Sequence, residues 1–330
     1  MTATSNFRNI LLVILWASAG AHAQAPAAGS APAYPLKTIR VIVPGGAGES
    51  CDTLTRLIGY RASEKLGQQF AVDNRPGAGG QIGLQMLAQA PADGYTIGCG
   101  QGGNMVIVPL AYKKVAYDTY RDFAPIALMA SNFLALAVHP TVPFRNMKDL
   151  ISYARSHPGK LAFGTNGEGA FIHFATELLR KDAGFTYLHV PFKSGSGIIT
   201  DLIGGRIDAT LTSFISLQPH AVSGRLKILG VARDKRAPNY PDLPTIAETL
   251  PGFASGGWFG IIAPAGMPKD MIAILNRELN NAMRLADVRE KMTTFGLEIH
   301  TESPEFFTQT IRNDFEKWGK LARDIGFKPQ

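Results

Sequence analysis

The sequence predicts an α/β protein whose sheets are mostly parallel and flanked by helices. Short apolar, β-branched runs recur along the chain, and amphipathic helical patterns sit between many of them. Two of the junctions between such a run and a helix are rich in glycine. Strand alternating with helix builds a parallel sheet covered on both faces. The 330 residues, 45% hydrophobic and 18% charged, suffice for one large or two ordinary domains with a sizeable core.

The N-terminus comes first. "MTATSNFRN" carries one positive charge and no acid, "ILLVILWASAG" is apolar, and "AHA" supplies small residues for cleavage. This is the layout of a secretory signal, too short for a comfortable membrane span. Residues 1–23 are read as a signal peptide cut after Ala23, and residues 24–33, "QAPAAGSAPA", as a flexible tether.

"TIRVIV" is the first strand, and it runs into "VPGGAGESCD" at residues 43–52. Leu54, Leu57, Ile58 and Ala62 then form one helical stripe, with Ser50 or Asp52 as cap and Gly67 as stop. "QFAVDN" and "YTIGCG" are further strands, separated by a second glycine cluster, "RPGAGGQIG", at residues 75–83. "ALMASNFLALAVHP" sets two apolar runs either side of Ser131-Asn132. "NMKDLISYARSHPG" is a helix with Asn146 as cap, Asp149 three residues on, and Pro158-Gly159 as stop. "KLAFG", "YLHVPF", "ATLTS", "LKILGVA" and "WFGIIAP" are strands, and "ETLPGFASGGWFG" is a turn-rich return. Two long amphipathic helices close the chain. A chain that leaves one lobe near Ser131-Asn132 and re-enters it at the turn-rich stretch builds lobe 1 from residues 34–132 plus 254–330. Lobe 2 is then residues 133–253, with a ligand cleft between the two.

The glycine loops carry the chemistry. Gly46-Ala47-Gly48 begins a dinucleotide fingerprint, but Cys51 stands where the third glycine is needed, and no Lys-Ser/Thr pair follows. An exported chain also meets no steady supply of nucleotide cofactor. The loop reads instead as an anion cradle, where free N–H groups and the dipole of a helix start hold a carboxylate. "LAFGTNGEGAFIHFATELL" repeats the design in the second lobe, although either loop alone also reads as an ordinary strand-to-helix turn.

Other function classes find less support. The +7 charge is dispersed, with no basic stripe for nucleic acid. There is no Gly-x-Ser-x-Gly elbow, no Ser-x-x-Lys, no Cys-x-x-Cys and no His-Glu-x-x-His. His173 and His189 read as packed, satisfied histidines. Glu49 and Glu168 are the one carboxylate pair that a secreted hydrolase could use, if their loops face each other. Cys51 and Cys99 are the only cysteines; an oxidising compartment permits a bridge, and their reach depends on the fold.

"YPLKTIRVIVPGGAGESCDTLTRLI", "DNRPGAGGQIG", "APADGYTI", "DFAPIALMA", "HVPFKSGSGIITDLIGGRIDA", "LPTIAE" and "WFGIIAPAGMPKD" together resemble the solute-binding receptors of tripartite tricarboxylate transporters, the Bug-type receptors. The resemblance spans nearly the whole chain from Tyr34. It implies a two-lobed periplasmic-binding-protein fold, a type II-like Venus flytrap. Such a protein captures a small organic acid and delivers it to integral-membrane permease subunits. It also implies a periplasmic monomer without cofactor, metal or catalysis, and a ligand that is a di- or tricarboxylate, an amino acid or an aromatic carboxylate. A receptor that presents its ligand to a membrane sensor would have the same sequence features.

The resemblance carries a site with it. The first ligand loop falls on Gly45, Gly46, Ala47, Gly48, Glu49, Ser50 and Asp52, with Gln101 beside it. The second falls on Thr165, Asn166, Gly167, Glu168 and Ala170, and Phe192, Lys193 and Ser213 complete the cleft. Three departures bear on the ligand. Gly45, Gly46 and Ala47 stand where the family has an aromatic residue and prolines, Glu49 where it has glycine, and Glu168 adds an acid opposite. Pointing into the cleft, each acid would repel a dianion by about 1 kcal/mol per pair in a wet site, and would favour a ligand with a positive or donor group. Pointing to solvent, neither would matter.

Overall fold

The computed structural model describes residues 1–2, 34–192 and 194–330. The tether at 24–33, Lys193, and all but the first two residues of the signal peptide at 1–23 lie outside the described residues.

The chain from Tyr34 begins with β1 (Ile39–Val43), α1 (Ser50–Leu66), β2 (Phe70–Asn74), α2 (Gln81–Ala88) and β3 (Thr96–Gln101). A π-helical turn at Gly103–Ile107 leads into α3 (Val108–Ala111), and β4 (Phe123–Ser131) follows. Two residues later the chain enters a second sheet. There it forms β5 (Leu134–Val138), α4 (Met147–Ser156), β6 (Ala162–Thr165), α5 (Phe171–Ala183) and β7 (Leu188–Pro191). It continues as α6 (Gly195–Ile203), β8 (Ala209–Ser213), α7 (Phe214–Val222) and β9 (Lys227–Val231). It returns as β10 (Trp258–Pro264) and ends in α8 (Lys269–Arg284), α9 (Ala286–Thr294), β11 (Glu298–Ile299) and α10 (Pro304–Asp324).

The first sheet has the order β11-β4-β10-β3-β1-β2 and the second β7-β6-β8-β5-β9. Most strands of each sheet share a direction, yet by pairing both sheets are mixed. β10 lies antiparallel between β3 and β4, and β5 antiparallel between β8 and β9. The expected α/β fold of two helix-flanked sheets stands, with antiparallel strands mixed into each sheet. The reason is connectivity: β5 and β10 are the strands by which the chain crosses between sheets, so each enters its new sheet from the opposite end. The crossing segments are stitched together, Asn132 N–H donating to Gly257 O at 2.9 Å, Gly257 N–H to Asn132 Oδ1 at 2.7 Å, and Leu134 N–H to Ser255 O at 3.1 Å.

β1 buries both faces. Ile39, Val41 and Val43 pack against Leu54 and Ile58 of α1 and Leu275 and Leu279 of α8, while Ile42 faces the other side. Leu54, Ile58 and Ala62 are buried as their spacing predicts, and Gly67 ends α1 in the left-handed region at φ 67°. Neither candidate cap closes its start. Glu49 is the N-cap, without a side-chain bond, and Ser50 is already helical. Asp52 reaches back to accept from Gly48 N–H at 2.9 Å. Asn146 does cap α4, accepting from Asp149 N–H at 3.0 Å. α10 bridges both layers: Phe307 packs edge-on against Trp258 at its start, and Trp318 against Phe171 and Phe174 of α5 near its end.

Cys51 at the start of α1 and Cys99 on β3 form a disulfide, with Cα atoms 6.1 Å apart. Both are buried, so the bridge ties the first glycine loop to the sheet.

Candidate ligand-binding site

The loops that follow β1, β3, β6 and β8 all leave the C-terminal ends of parallel strands, where open α/β sheets hold ligands. They converge on a cavity of about 620 Å³ lined from both sheets and from the crossing segments. Pro44, Gly45 and Glu49 come from the first loop, Gln101 and Asn104 from the end of β3, and Asn132 and Trp258 from the crossings. Asn166, Gly169, Ala170 and Phe171 come from the second loop, and Thr212 and Ser213 from the end of β8.

Three helices begin at this cavity, α1 at Glu49, α5 at Ala170 and α7 at Ser213, and none has a side-chain cap. The first N–H groups of an α-helix lack intrahelical partners and carry the positive end of its dipole. Three uncapped starts are therefore three sets of donors for an anionic ligand, though at α7 the first, Phe214 N–H, already donates to Phe133 O at 3.2 Å. Asn104 sits beside them in the lining. It is 1% exposed, and its Oδ1 accepts from Gln101 N–H at 3.1 Å, which fixes the amide's orientation. Its Nδ2 is left without a partner, lying where a Cβ on Gly80 would stand.

Glycine shapes the wall. A Cβ on Gly83 would come 2.8 Å from Pro44 Cα, so the "RPGAGGQIG" segment can press on the first loop only without a side chain. Glu49 lies over the loop itself. A Cβ on Gly45 would come 2.7 Å from its Oε2, and one on Gly46 3.0 Å from its Oε1. Among the described residues, Glu49 is the one charged side chain in the lining.

Of the residues expected from the sequence, Gly45, Glu49, Gln101, Asn166, Ala170 and Ser213 line the cavity. Gly46, Ala47, Gly48 and Ser50 belong to the same turn but lie outside the lining. Asp52 is buried in a different role, accepting from Gly48 N–H, from Arg56 at 2.9 Å and from Asn74 at 3.0 Å. Burial raises its pKa, but Arg56, Gly48 N–H and Asn74 outweigh this and hold it below the usual carboxylate range. Gly167 and Glu168 are absent from the lining, Glu168 being exposed, and Phe192 packs against the core of the second sheet. Glu49 and Glu168 thus do not share the cavity. Lys193 lies outside the described residues.

Thr165 is fully buried and shares a 2.6 Å hydrogen bond with His189 Nε2. His189 stacks on His173 with ring centroids 4.6 Å apart, and His173 Nδ1 accepts from Gly169 N–H at 3.2 Å. These packed histidines therefore support the second loop from beneath. Burial pushes both below the ordinary histidine value of 6.5, and His189 adds to the fall at His173. The sequence reading missed Asn104, Asn132, Thr212 and Trp258. Trp258 is held by Nε1 donating to Asp314 Oδ2 at 2.7 Å. Only the glycines preceding Asn104, in "GQGGNM", signal a backbone that comes close to a ligand. No group of three His, Cys, Asp or Glu side chains suited to a metal ion occurs among the described residues.

A cavity between two crossed α/β sheets, walled by uncapped helix starts and neutral amides, defines a solute-binding protein. The family model described as "Tripartite tricarboxylate transporter family receptor" matches residues 54–327, starting just past the first glycine loop. The UPF0065 protein of the tcbD-tcbE intergenic region of Pseudomonas sp. strain P51 is 38% identical over 291 residues, 88% of this chain and 86% of that one. Among solved structures, the R. palustris protein Rpa4515 with adipate is 32% identical with a TM-score of 0.79, over 90% of this chain and 100% of that one. The periplasmic binding protein BugD is 30% identical with a TM-score of 0.77, over 90% and 100%. The chain belongs to the tripartite tricarboxylate transporter receptor family, whose members are periplasmic solute-binding proteins.

Proposed function

We propose that this receptor captures a small organic acid in the cavity and hands it to the permease subunits of a tripartite tricarboxylate-type transporter. The observation that carries this reading is the meeting of three uncapped helix starts in one cavity. Rpa4515 holds the dicarboxylate adipate, which supports the same ligand class here. In this reading the chain is exported with residues 1–23 removed and acts as a monomer. Residues 34–132 plus 254–330 form one lobe and residues 133–253 the other. The ligand docks on one helix start while the lobes are open, at about 0.3–1 kcal/mol per charge–dipole contact and up to about 2 in a partly buried setting. Rotation about the two crossings brings in the second loop, excludes water and strengthens the grip. The permease then distinguishes the closed surface, because ligand shifts the population toward it. The ligand is returned unchanged, since Glu49 and Glu168 lack a shared site for acid–base work.

Thermal unfolding of the mature protein against di- and tricarboxylates, amino acids and aromatic carboxylates tests this reading. One class should give a saturable rise, equivalent to about 2.7 kcal/mol at a hundredfold excess over Kd, with the compound recovered intact. Consumption of the compound would overturn the receptor assignment.

A further inference from the structure

We infer that Glu49 makes this cavity selective for a carboxylate that also carries a protonated amino group, the carboxylate meeting the helix starts and the ammonium meeting Glu49. The inference rests on the reading of the cavity as a carboxylate site. Its argument begins with an imbalance. The starts of α1, α5 and α7 offer donors and call for an acceptor. Glu49, in the same lining, is acceptor-only when ionised and calls for a donor. A ligand with nothing but carboxylates satisfies the first demand and sets its own charge against Glu49, more strongly as closure removes water. A zwitterion satisfies both.

The seating of Glu49 gives the second argument. Its carboxylate lies over Gly45 and Gly46, where a Cβ would come 2.7 and 3.0 Å from its oxygens. The acid thus lies along the cavity wall while staying open to solvent, where an incoming ligand can reach it. Glu168, the other acid of the paired loops, is exposed and absent from the lining, so it neither shares nor cancels this effect. The remaining polar lining (Gln101, Asn132, Asn166, Thr212, Ser213) can donate or accept and fits either ligand type.

Matched probes test the inference: L-glutamate with glutarate, 4-aminobutyrate with butyrate, and L-phenylalanine with 3-phenylpropionate. Each is titrated calorimetrically into the mature wild type and into Glu49→Gln and Glu49→Ala. Glu49 is exposed, so both variants should melt with the wild type when no probe is present. For at least one pair the amino member should bind wild type tenfold or more tightly than its partner, and both substitutions should cut that ratio at least tenfold. Equal or tighter binding of the amino-free members, or a ratio unchanged by both substitutions, would overturn the role of Glu49 and leave the carboxylate receptor standing. Failure of every probe to bind wild type at millimolar concentration would overturn the carboxylate reading and this inference with it.

Discussion

The loop after β1 and the loop after β6 follow one plan, a strand, a glycine turn and a helix without a side-chain cap, but they are anchored by different chemistry. The first is held by the Cys51–Cys99 disulfide and by the Asp52 carboxylate, which joins Gly48 N–H, Arg56 and Asn74. The second is held by neutral imidazoles, His173 accepting from Gly169 N–H and His189 joined to Thr165. A covalent bond and a strongly acidic carboxyl do not change state near neutral pH. A buried histidine pair, neutral at pH 7, changes state only in mild acid, below its ordinary value of 6.5. The comparison teaches that one wall of the cavity is fixed while the other is tied to solution pH.

Removing the disulfide should have the largest effect. The bridge joins residues 48 apart, and a loop of that size is worth about 4 kcal/mol in the chain-entropy account. The Cys51→Ser, Cys99→Ser double variant should lose roughly that much in urea unfolding. It should also bind more weakly, because Cys51 anchors the loop that carries Glu49. Unchanged stability would mean that the first loop is held by Asp52 alone.

Acidification should act next, and on the second loop. The folded-state values of His173 and His189 are depressed, so neither histidine contributes a pH dependence above about 6.5. As pH falls below that value the unfolded chain takes up protons that the folded chain resists, and stability drops until the folded histidines titrate. Protonated His173 can no longer accept from Gly169 N–H, and it meets His189 on one side with Glu168, Glu177 and Arg180 nearby. Asp52 moves the other way: its contribution is present above 3.8 and is lost only as pH falls through its lower folded value. Melting temperature and affinity should therefore both fall as pH drops below 6.5. His173→Gln, which keeps an acceptor for Gly169, should flatten the fall in affinity; some loss of stability should persist through His189 and His300, whose values burial also depresses. A flat wild-type affinity profile would break the contrast between the loops.

The smallest effect should come from Glu168→Gln. Glu168 is exposed and outside the lining, so its loss should change stability by less than about 0.5 kcal/mol and affinity by less than about twofold, an energy of the same order. A large change in calorimetric affinity would show that closure swings this acid into the cleft.

Much of the architecture was legible because it is local. "TIRVIV", "YTIGCG" and "ATLTS" are strands in the structure, and Asn146 with Asp149 marks a helix start that needs no partner to form. β4 showed only as one of two apolar runs, and the two-residue β11 escaped because its pairing with Ser131 and Ala130 supplies all of its order. Both glycine loops were visible as candidates, since glycine between a strand and a helix is a short-range pattern. Asn104 was not visible, because an orphaned amide exists only once Gln101, Gly80 and the cavity surround it.

By itself, then, the sequence determined the alternation of strands and helices, the two glycine cradles, and the presence of an acid in each. These follow from residue type and spacing along a few turns of chain. Tertiary structure alone decided that Glu49 faces the cavity and Glu168 does not, that Cys51 reaches Cys99, and that Asp52 serves the loop rather than the ligand. Each of those outcomes depends on which distant backbone comes within a few ångströms, and no spacing along the chain carries that information.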